Sequence, residues 1–267
     1  MQYTQEEKQF IVDSWNKVSI DFLCKKFNRS ITSIRAQIKY LRKQGILSKE
    51  KRNRDNKSAT LEVLLDETHL KYYWLGFLLA DGHFSDSGAI TLHLGQKDRD
   101  HAIKYQHFIK LNEIKEYKFN PKLKYHNSSQ MLTMAASNKY VCKLLKERHN
   151  ISNTKTYNAP NIESFPTEFK KALFIGFIDG DGCIFNTVNT VNKKKYKRTV
   201  LCVEIRQEWV NFLKDMVKHL DVTAKIGYTN KETIKISIVS KQKLKEIKQY
   251  AIQMNLPIME RKWCNIQ

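Results

Sequence analysis

Two nine-residue segments of this chain are versions of one another, set 100 positions apart. The first is WLGFLLADG at residues 74–82, and the second is FIGFIDGDG at residues 174–182. An internal repeat indicates that one structural unit is built twice, so we expect a fold with two similar halves. Each segment ends in an aspartate followed by a glycine, which places Asp81 and Asp181 at equivalent positions of the two halves.

Small residues recur four positions apart within each segment, at Gly76 and Ala80 and at Gly176 and Gly180. Residues at i and i+4 lie on one face of a helix. Glycine inside a helix is destabilising by roughly 0.5–1 kcal/mol relative to alanine, and the close approach of a second helix would explain its presence. We therefore predict two helices that pack through these small faces and end side by side. Asp81 and Asp181 would then meet, and Gly82 and Gly182 would end the helices.

The chain carries a strong excess of positive charge. Lysine and arginine number 47 against 27 acidic residues, a formal net charge of +20, in a composition that is 41% hydrophobic. The composition is typical of a globular protein, and the charge favours a polyanionic partner, above all nucleic acid. Solubility, or a lysine-rich proteome, is the alternative explanation. Membrane-surface binding is less favoured, because the charge is spread along the chain and not gathered on one amphipathic helix.

Several protein classes are disfavoured by the sequence. It has no run of about 18 apolar residues, so no membrane span is predicted. The N-terminus has neither a basic start nor an apolar run, and we expect an intracellular protein without a secretory signal. The five cysteines are scattered and include no Cys-x-x-Cys pair. This pattern favours reduced cysteines over a disulfide framework or a zinc site.

Residues 1–47 are predicted to form three helices. Thr4, Ser19 and Ser30 stand where helix N-caps are expected. Basic side chains recur on one face of the third helix, at Arg35, Lys39 and Arg42. Such a face suits a helix lying in the major groove of DNA, and the segment resembles a small helix-turn-helix domain of the Myb-like type. A solvated helical cap without DNA contacts is the alternative.

The sequence divides into four parts: a helix-turn-helix domain at 1–47, a basic linker at 48–65, and two repeats at 66–160 and 161–267. Each repeat is predicted to run helix, two strands, helix, two strands, helix. Alternating apolar residues, which are typical of half-buried strands, occur at 89–94, 117–123, 131–136, 200–206, 224–228 and 233–239. Helices outside the motifs are predicted at 100–111, 139–149, 208–220 and 241–254. The predicted fold class is α+β, with two antiparallel sheets related by approximate twofold symmetry.

The predicted position of the two aspartates is electrostatically unfavourable. A carboxylate at a helix C-terminus meets the negative end of the helix dipole, at a cost of roughly 0.3–1 kcal/mol, and two carboxylates repel one another. A divalent cation would relieve both effects. Oxygen ligands with open coordination positions suit Mg²⁺, which keeps waters and accepts phosphate oxygens. Paired carboxylates, a metal and a basic surface together favour phosphodiester hydrolysis.

The paired segments resemble the motifs of the LAGLIDADG homing endonucleases, in the single-chain form with two motifs, over about residues 66–267. The resemblance implies a duplicated αββαββα fold whose sheets form a saddle on double-stranded DNA. It also implies a monomer, without a protein partner, that cuts a long asymmetric target. Mg²⁺ is the expected cofactor, and Mn²⁺ or Ca²⁺ could occupy the same sites. The implied metal ligands are Asp81 and Asp181, with the preceding residues Ala80 and Gly180.

The motifs depart from the family pattern at one acidic position. The earlier and more variable acidic residue of the motif falls on Asp179 in the second segment but on Leu79 in the first. In the family this position is not the principal metal ligand. The departure therefore does not by itself imply a loss of activity.

Four further catalytic candidates follow from the resemblance. Members often carry a glutamine at the end of the second strand near the metal-bound water, which matches Gln96 and Gln207, although a glutamine closing a strand is common. The family also places a lysine near the end of each repeat, as a proton-handling partner. Lys155 and Lys262 match that position, with Arg261 as a competitor for Lys262. Lysines are abundant in this chain, so chance matches are an open alternative.

The outward faces of the sheets are the expected DNA-contacting surface. Period-two alternation directs Thr91 and His93 outward in the first half, and Glu204 and Arg206 outward in the second. Arg206 could read guanine, and Glu204 could accept from cytosine. Phosphate contacts, which position a protein without reading sequence, are predicted at Lys122, Lys124, Lys195, Lys197 and Arg198. The last three belong to a basic run at 193–198, expected on the hairpin between the first strands of the second repeat.

Two other functions are compatible with the same fold. One is a DNA-binding regulator that has lost cleavage, and the other is an intron RNA maturase. Retention of Asp81 and Asp181 favours cleavage over the regulator. The helix-turn-helix segment favours duplex DNA over structured RNA.

Overall fold

The computed structural model describes residues 3–15, 17–47, 60–118, 130–191 and 193–266. Ten helices lie within these residues: α1 (Gln5–Ser14), α2 (Ile20–Phe27), α3 (Ile31–Lys43), α4 (His69–Asp81), α5 (Arg99–Phe108), α6 (Lys139–His149), α7 (Thr167–Asp181), α8 (Val210–His219), α9 (Lys241–Gln253) and α10 (Glu260–Trp263). The strands of the same residues are β1 (Gly82–Phe84), β2 (Ala89–Gly95), β3 (Lys115–Lys118), β4 (Gln130–Ser137), β5 (Gly182–Val191), β6 (Lys194–Arg206), β7 (Lys225–Tyr228) and β8 (Thr233–Ile238). No helix in these ranges is both long and apolar enough to cross a bilayer.

The strands form two antiparallel sheets with the same internal order. The first sheet is ordered β1-β2-β4-β3 and the second β5-β6-β8-β7. Each repeat runs helix, two strands, helix, two strands, helix, as predicted, and the α+β class with two antiparallel sheets is confirmed. The sequence pattern does not locate the first strand of each pair, β1 or β5. β1 has only three residues, and β5 does not alternate cleanly between apolar and polar residues.

The bounds of two predicted strands were wrong. Strand β6 begins at Lys194, six residues before the predicted start, because residues 194–198 pair with β5 from Val191 to Thr187. Basic residues are uncommon in a sheet interior, and here they extend a two-stranded arm beyond the rest of the sheet. The strand predicted at 117–123 is β3, which begins earlier at Lys115, and positions 119–123 lie outside the described residues.

The core is built around helices α4 and α7, which are buried along most of their length. Their small residues face one another: a Cβ added to Gly76 would lie 1.9 Å from the carbonyl oxygen of Leu173, and one added to Gly176 would lie 1.8 Å from that of Tyr73. The predicted packing of small face on small face is therefore confirmed. The inner faces of both sheets, including Leu92 of β2 and the second-repeat strands, complete this core.

Helices α1 to α3 form a separate apolar cluster, which buries Ile11, Leu23, Ile34, Ile38 and Leu41. The predicted caps are present. Thr4 forms a capping box with Glu7, and the hydroxyls of Ser19 and Ser30 accept from the backbone amides of Phe22 and Ser33. Gly45, which follows α3, has a φ of 72°, a conformation that glycine adopts without strain.

Specific polar contacts attach the three N-terminal helices to the first repeat. The buried Glu62 carboxylate accepts from the backbone amide of Ser19 at 2.6 Å and from its hydroxyl at 2.5 Å. The Asn138 side chain donates to the carbonyl oxygen of Lys17, whose ammonium group lies 5.0 Å from the ring centroid of Tyr140. The N-terminal helices are therefore docked on the first repeat.

We expect the free energy of unfolding to depend on the ionisation of Lys71, a fully buried lysine in the first turn of α4. Burial lowers its pKa to about 7, an effect that Glu67 at 3.8 Å only partly opposes. A lowered pKa contributes stability that is present above the ordinary value of 10.5 and is lost as the pH falls towards 7. Lys71→Met should therefore stabilise the protein at pH 7 by about 1–3 kcal/mol.

Urea unfolding of the wild type and of Lys71→Met, measured at neutral and at alkaline pH, tests this expectation. The difference between the two proteins should shrink as the pH approaches the ordinary lysine value. Parallel stability curves would show that Lys71 keeps an ordinary pKa in the folded state.

Candidate active site

Helices α4 and α7 end side by side, with Asp81 and Asp181 as their last residues. Both aspartates are exposed to solvent. A Cβ added to Gly180 would lie 3.5 Å from Oδ2 of Asp81 and would overlap the side chain of Ala80. The end of α4 therefore lies directly against the last turn of α7. The structure brings the two aspartates together, as the sequence predicted.

Gly82 and Gly182 end the motif helices, as predicted, but with an extended backbone. Gly82 and Gly182 have φ values of −80° and −81°, so neither adopts the left-handed conformation of a typical helix-ending glycine. A Cβ added to either would overlap the last helical turn, at 2.6 Å from the carbonyl oxygen of Leu78 and 2.5 Å from that of Ile178. Glycine is required here because the chain leaves the helix close to its own last turn.

The electrostatics of the aspartates reflect their surroundings and their proximity. Burial among protein atoms raises the pKa of Asp181 to about 6, and repulsion from Asp81 adds to this effect. Burial also raises the pKa of Asp81, against the attraction of Lys262 and Lys155. The carboxylates can be reached by solvent, but the walls around them displace much of the water that would stabilise their charge. Such a pair favours a cation.

Lys155 and Lys262 place their ammonium groups at the carbonyl ends of the two motif helices. Lys155 donates to the carbonyl oxygens of Leu79 at 2.7 Å and Ala80 at 2.6 Å. The Lys262 ammonium group lies within hydrogen-bond distance of four carbonyl oxygens in the last turn of α7 and the residue after it, those of Ile178, Asp179, Gly180 and Gly182. Positive charge at a helix C-terminus is stabilising, so these lysines offset the negative dipole ends that the aspartates meet. Burial lowers the pKa of both lysines, and the nearby aspartates oppose this shift.

Arg261, the competitor for Lys262, occupies another position. Its guanidinium group forms an ion pair with the buried Asp98, which lies in the short 3₁₀ turn after β2. The two glutamine candidates, Gln96 and Gln207, are both exposed, and each opens the 3₁₀ turn that follows β2 or β6. Both therefore lie at the end of the second strand of their repeat, the location given by the sequence.

The donor set suits a hard divalent cation. Two carboxylates reachable from solvent are joined by the nearby carbonyl oxygens of Ala80 and Gly180, each of which has a second lone pair beyond the one used by a lysine. Within the described parts of the chain, no group of three or more histidine, cysteine, aspartate or glutamate side chains is arranged to hold a metal. Mg²⁺ commonly binds through one or two carboxylates and fills its remaining positions with water and phosphate oxygens. The residues present therefore fit such an ion.

Most of the predicted DNA-contacting side chains are exposed. His93 lies on the outer face of the first sheet, where its Nδ1 is 2.9 Å from the hydroxyl of Thr133, and Glu204 lies on the outer face of the second. Arg206 is ion-paired with Glu208 at 3.3 Å and Glu232 at 3.0 Å. Reading a base with this guanidinium group would require an exchange of these partners.

The basic candidates have different surroundings. Lys195, Lys197 and Arg198 are exposed on the two-stranded arm of β5 and β6, the hairpin on which they were predicted. Arg35 and Lys39 are exposed on α3, whereas the guanidinium group of Arg42 lies 4.8 Å from the ring centroid of Trp15. Lys122 and Lys124 lie outside the described residues.

A comparison with known protein families finds a match for most of the second repeat. Residues 174–263 match the model of the LAGLIDADG endonuclease family. The match begins in α7, includes Asp181 and Lys262, and ends in α10. Among curated proteins, no match to the chain is found.

Solved structures similar to this chain include two LAGLIDADG proteins and I-SmaMI. The I-LtrWI homing endonuclease bound to target DNA is 16% identical over 72% of this chain and 86% of that chain, with a TM-score of 0.49. I-SmaMI bound to uncleaved DNA in the presence of calcium ions is 12% identical over 73% of this chain and 89% of that chain, with a TM-score of 0.47. The LAGLIDADG meganuclease I-AabMI bound to uncleaved DNA is also 12% identical over 73% of this chain and 89% of that chain, with a TM-score of 0.47.

Proposed function

We propose that this protein is a metal-dependent endonuclease that hydrolyses one phosphodiester in each strand of a long, asymmetric double-stranded DNA target. The observation that carries the proposal is the meeting of two exposed aspartates at the ends of two tightly packed helices, with a lysine at each helix end. The match of residues 174–263 to the LAGLIDADG endonucleases and the net charge of +20 support it. Both halves of the site belong to one chain, so a monomer suffices.

The acidic residues and carbonyl oxygens at the helix ends have a proposed role in binding the metal. Asp81 and Asp181, with the carbonyl oxygens of Ala80 and Gly180, would hold the divalent cation. A bound divalent cation supplies Lewis-acid polarisation of a phosphate oxygen and a water of lowered pKa. Mg²⁺ is the proposed cofactor, and Mn²⁺ or Ca²⁺ would occupy the same positions.

The remaining polar residues of the site would act on the phosphate and on water. Lys155 and Lys262 keep positive charge beside the position where negative charge develops on the phosphate. Gln96 and Gln207 would orient water by hydrogen bonding, one in each half. Because the site is built from two similar halves, each half would serve one DNA strand.

The two sheets supply the proposed DNA-binding surface. Their inner faces pack on the helices, so their outer faces are available to the duplex. His93 and Glu204 point outward as candidates for base contacts. The arm of β5 and β6 carries Lys195, Lys197 and Arg198, which suit phosphate contacts. Because the halves differ in sequence, the target need not be a palindrome.

Cleavage of a large randomised DNA library in the presence of Mg²⁺ tests the proposal. Sequencing the cut ends should reveal one long asymmetric site, cut on both strands, and chelation of the metal should stop the reaction. Specific duplex binding without cleavage in Mg²⁺ or Mn²⁺ would identify a DNA-binding regulator. Preferential binding of structured RNA would identify a maturase. Either result would overturn the endonuclease proposal.

We also propose that α3 contacts DNA phosphates through Arg35 and Lys39, which are exposed on the same helix. Each phosphate contact contributes roughly 0.9 to the slope of log K against log salt concentration. The Arg35→Ala/Lys39→Ala double variant should therefore bind DNA more weakly, and the magnitude of its negative slope should be smaller by about 2. Fluorescence anisotropy with the selected duplex, over about 50–200 mM salt, measures the effect.

Lys241→Ala is the control for this experiment. Lys241 is exposed at the start of α9, whose buried Leu244 and Ile247 pack on the side of the sheet opposite the proposed DNA surface. The Lys241→Ala variant should bind DNA with the same salt dependence as the wild type. An unchanged slope in the double variant would mean that α3 is a solvated cap.

A further inference from the structure

A fully buried carboxylate lies two positions before Asp181. Asp179 has no exposed surface, and its side chain accepts three hydrogen bonds: from the hydroxyl of Tyr73 at 2.7 Å, from the backbone amide of Met259 at 2.9 Å, and from Nε1 of Trp263 at 2.6 Å. The first partner belongs to α4 of the other repeat. Burial raises the pKa of Asp179, and these three hydrogen bonds oppose that shift. A buried carboxylate satisfied in this way joins parts of the chain that are far apart in sequence.

Two of the three partners belong to residues 257–263, which we call the C-terminal segment. This segment carries Lys262, whose ammonium group lies at the carbonyl end of α7. Met259 and Trp263 stand on either side of Lys262 in the sequence, and Asp179 binds both. The carboxylate therefore holds the backbone from which the lysine side chain extends.

Other contacts tie the same segment to the first repeat. Arg261 binds Asp98, and Lys104 of α5 donates to the carbonyl oxygen of Ile258 and to the Glu260 side chain, both at 3.2 Å. These contacts lie nearer the surface than those of Asp179, since the Glu260 side chain is 85% exposed. Asp179 is thus the buried anchor of the segment.

The first repeat positions its lysine by other means. Leu79, an apolar residue, occupies the place equivalent to Asp179. Lys155 is held instead through its backbone carbonyl oxygen, which accepts from Nε1 of Trp209 at 3.0 Å. The two lysines therefore reach equivalent positions, although different contacts hold them.

We propose that Asp179 is a positioning residue of the active site: it anchors the C-terminal segment so that the Lys262 ammonium group is fixed at the carbonyl end of α7. The effect on cleavage rests on the endonuclease function proposed above. The anchoring itself does not, and it can be measured without DNA. Loss of Asp179 should impair the half that contains Lys262 and spare the half that contains Lys155.

Hydrogen exchange of the metal-free, DNA-free protein tests the anchoring. In Asp179→Asn, the amide of Met259 loses a carboxylate acceptor, and amides of the C-terminal segment should exchange at least about 10-fold faster while α4 keeps its protection. Asp221→Asn is the matched control, because Asp221 is exposed and has a φ of 53°, a conformation that asparagine tolerates. Unchanged exchange in the segment would overturn the proposal.

Strand-resolved, single-turnover cleavage of the selected target tests the consequence. Asp179→Asn should slow the cutting of one strand by roughly 10- to 100-fold, as the loss of an orienting contact does, and leave the dissociation constant within about twofold. The Asp179→Asn/Lys262→Met double variant should cut no more slowly than Lys262→Met alone, because both changes act through one ammonium group. Additive losses, or equal slowing of both strands, would contradict a role through Lys262.

If the wild type cuts no DNA, the endonuclease proposal fails, and hydrogen exchange alone decides whether Asp179 anchors the segment. If Asp179→Asn does not fold, Trp263→Phe replaces it, since this change deletes one donor to the same carboxylate from the side of the segment. Trp263→Phe should then show the same faster exchange and the same strand bias, and the absence of both would overturn the proposal.

Discussion

Asp181→Asn should reduce DNA cleavage by roughly 10³-fold or more, the rate equivalent of about 4 kcal/mol, with binding of the target within about twofold. Asparagine keeps the size of the side chain but removes the negative charge that would hold the cation at the end of α7. Asp81→Asn should have a comparable effect from the other helix. Single-turnover cleavage and a gel-shift titration on the selected target separate the two quantities.

The stability of Asp181→Asn distinguishes a chemical defect from unfolding. Burial and Asp81 raise the pKa of Asp181 to about 6. A raised pKa contributes stability below the ordinary value of 3.8, and this is lost as the pH rises through 6. At pH 7 the ionised Asp181 therefore destabilises the metal-free protein, and the neutral asparagine should leave it at least as stable as the wild type. Cleavage at the wild-type rate would show that Asp181 holds no essential cation.

Gly176→Ala should lower the free energy of unfolding by about 3 kcal/mol or more, at the upper end of measured overpacking effects. The added Cβ would lie 1.8 Å from the backbone carbonyl oxygen of Tyr73, and a backbone atom cannot move aside as a flexible side chain can. Alanine is the better helix former by about 1 kcal/mol, so any measured loss underestimates the clash. Gly76→Ala should behave alike, because its Cβ would meet the carbonyl oxygen of Leu173 at 1.9 Å.

Gly227→Ala is the matched control for these two variants. Gly227 lies in the edge strand β7, and an added Cβ there would meet nothing within 4 Å. Because glycine weakens a strand interior, this change should be neutral or slightly stabilising. Urea unfolding of all three variants gives the comparison. A Gly176→Ala protein as stable as Gly227→Ala would mean that α4 and α7 are not in close contact in solution.

The features that could be predicted from sequence are those that depend on local spacing. Residues four apart share a helix face, so the spacing of Gly76, Ala80, Gly176 and Gly180 is enough to predict the packing of α4 against α7. Alternation along β2 likewise predicts its buried and exposed faces. Lys155 and Lys262 could be placed at equivalent positions of the two repeats, but their bonds to the helix-end carbonyl oxygens could not be foreseen.

The features that escaped prediction depend on residues far apart in the chain. Arg206 was expected to be free to read a base, but Glu232, 26 positions away in the connection between β7 and β8, binds it. Asp179 stands out in the sequence only as a variable acidic position, because its partners Met259 and Trp263 follow it by 80 and 84 positions. The start of β6 at Lys194 was also missed, because lysine-rich sequence carries little strand signal.

The contact between Ser19 and Glu62 has a consequence for any attempt to re-engineer the N-terminal helices. Glu62 follows the polar stretch at 48–59, so the orientation of α1 to α3 is set where they touch the first repeat and not by the length of chain that joins them. Transplanting another module in their place would succeed only if the newcomer brought its own hydroxyl and amide to satisfy that carboxylate. Otherwise the Glu62 carboxylate would be buried without a hydrogen-bond donor at the junction, and the new module would not keep a fixed orientation.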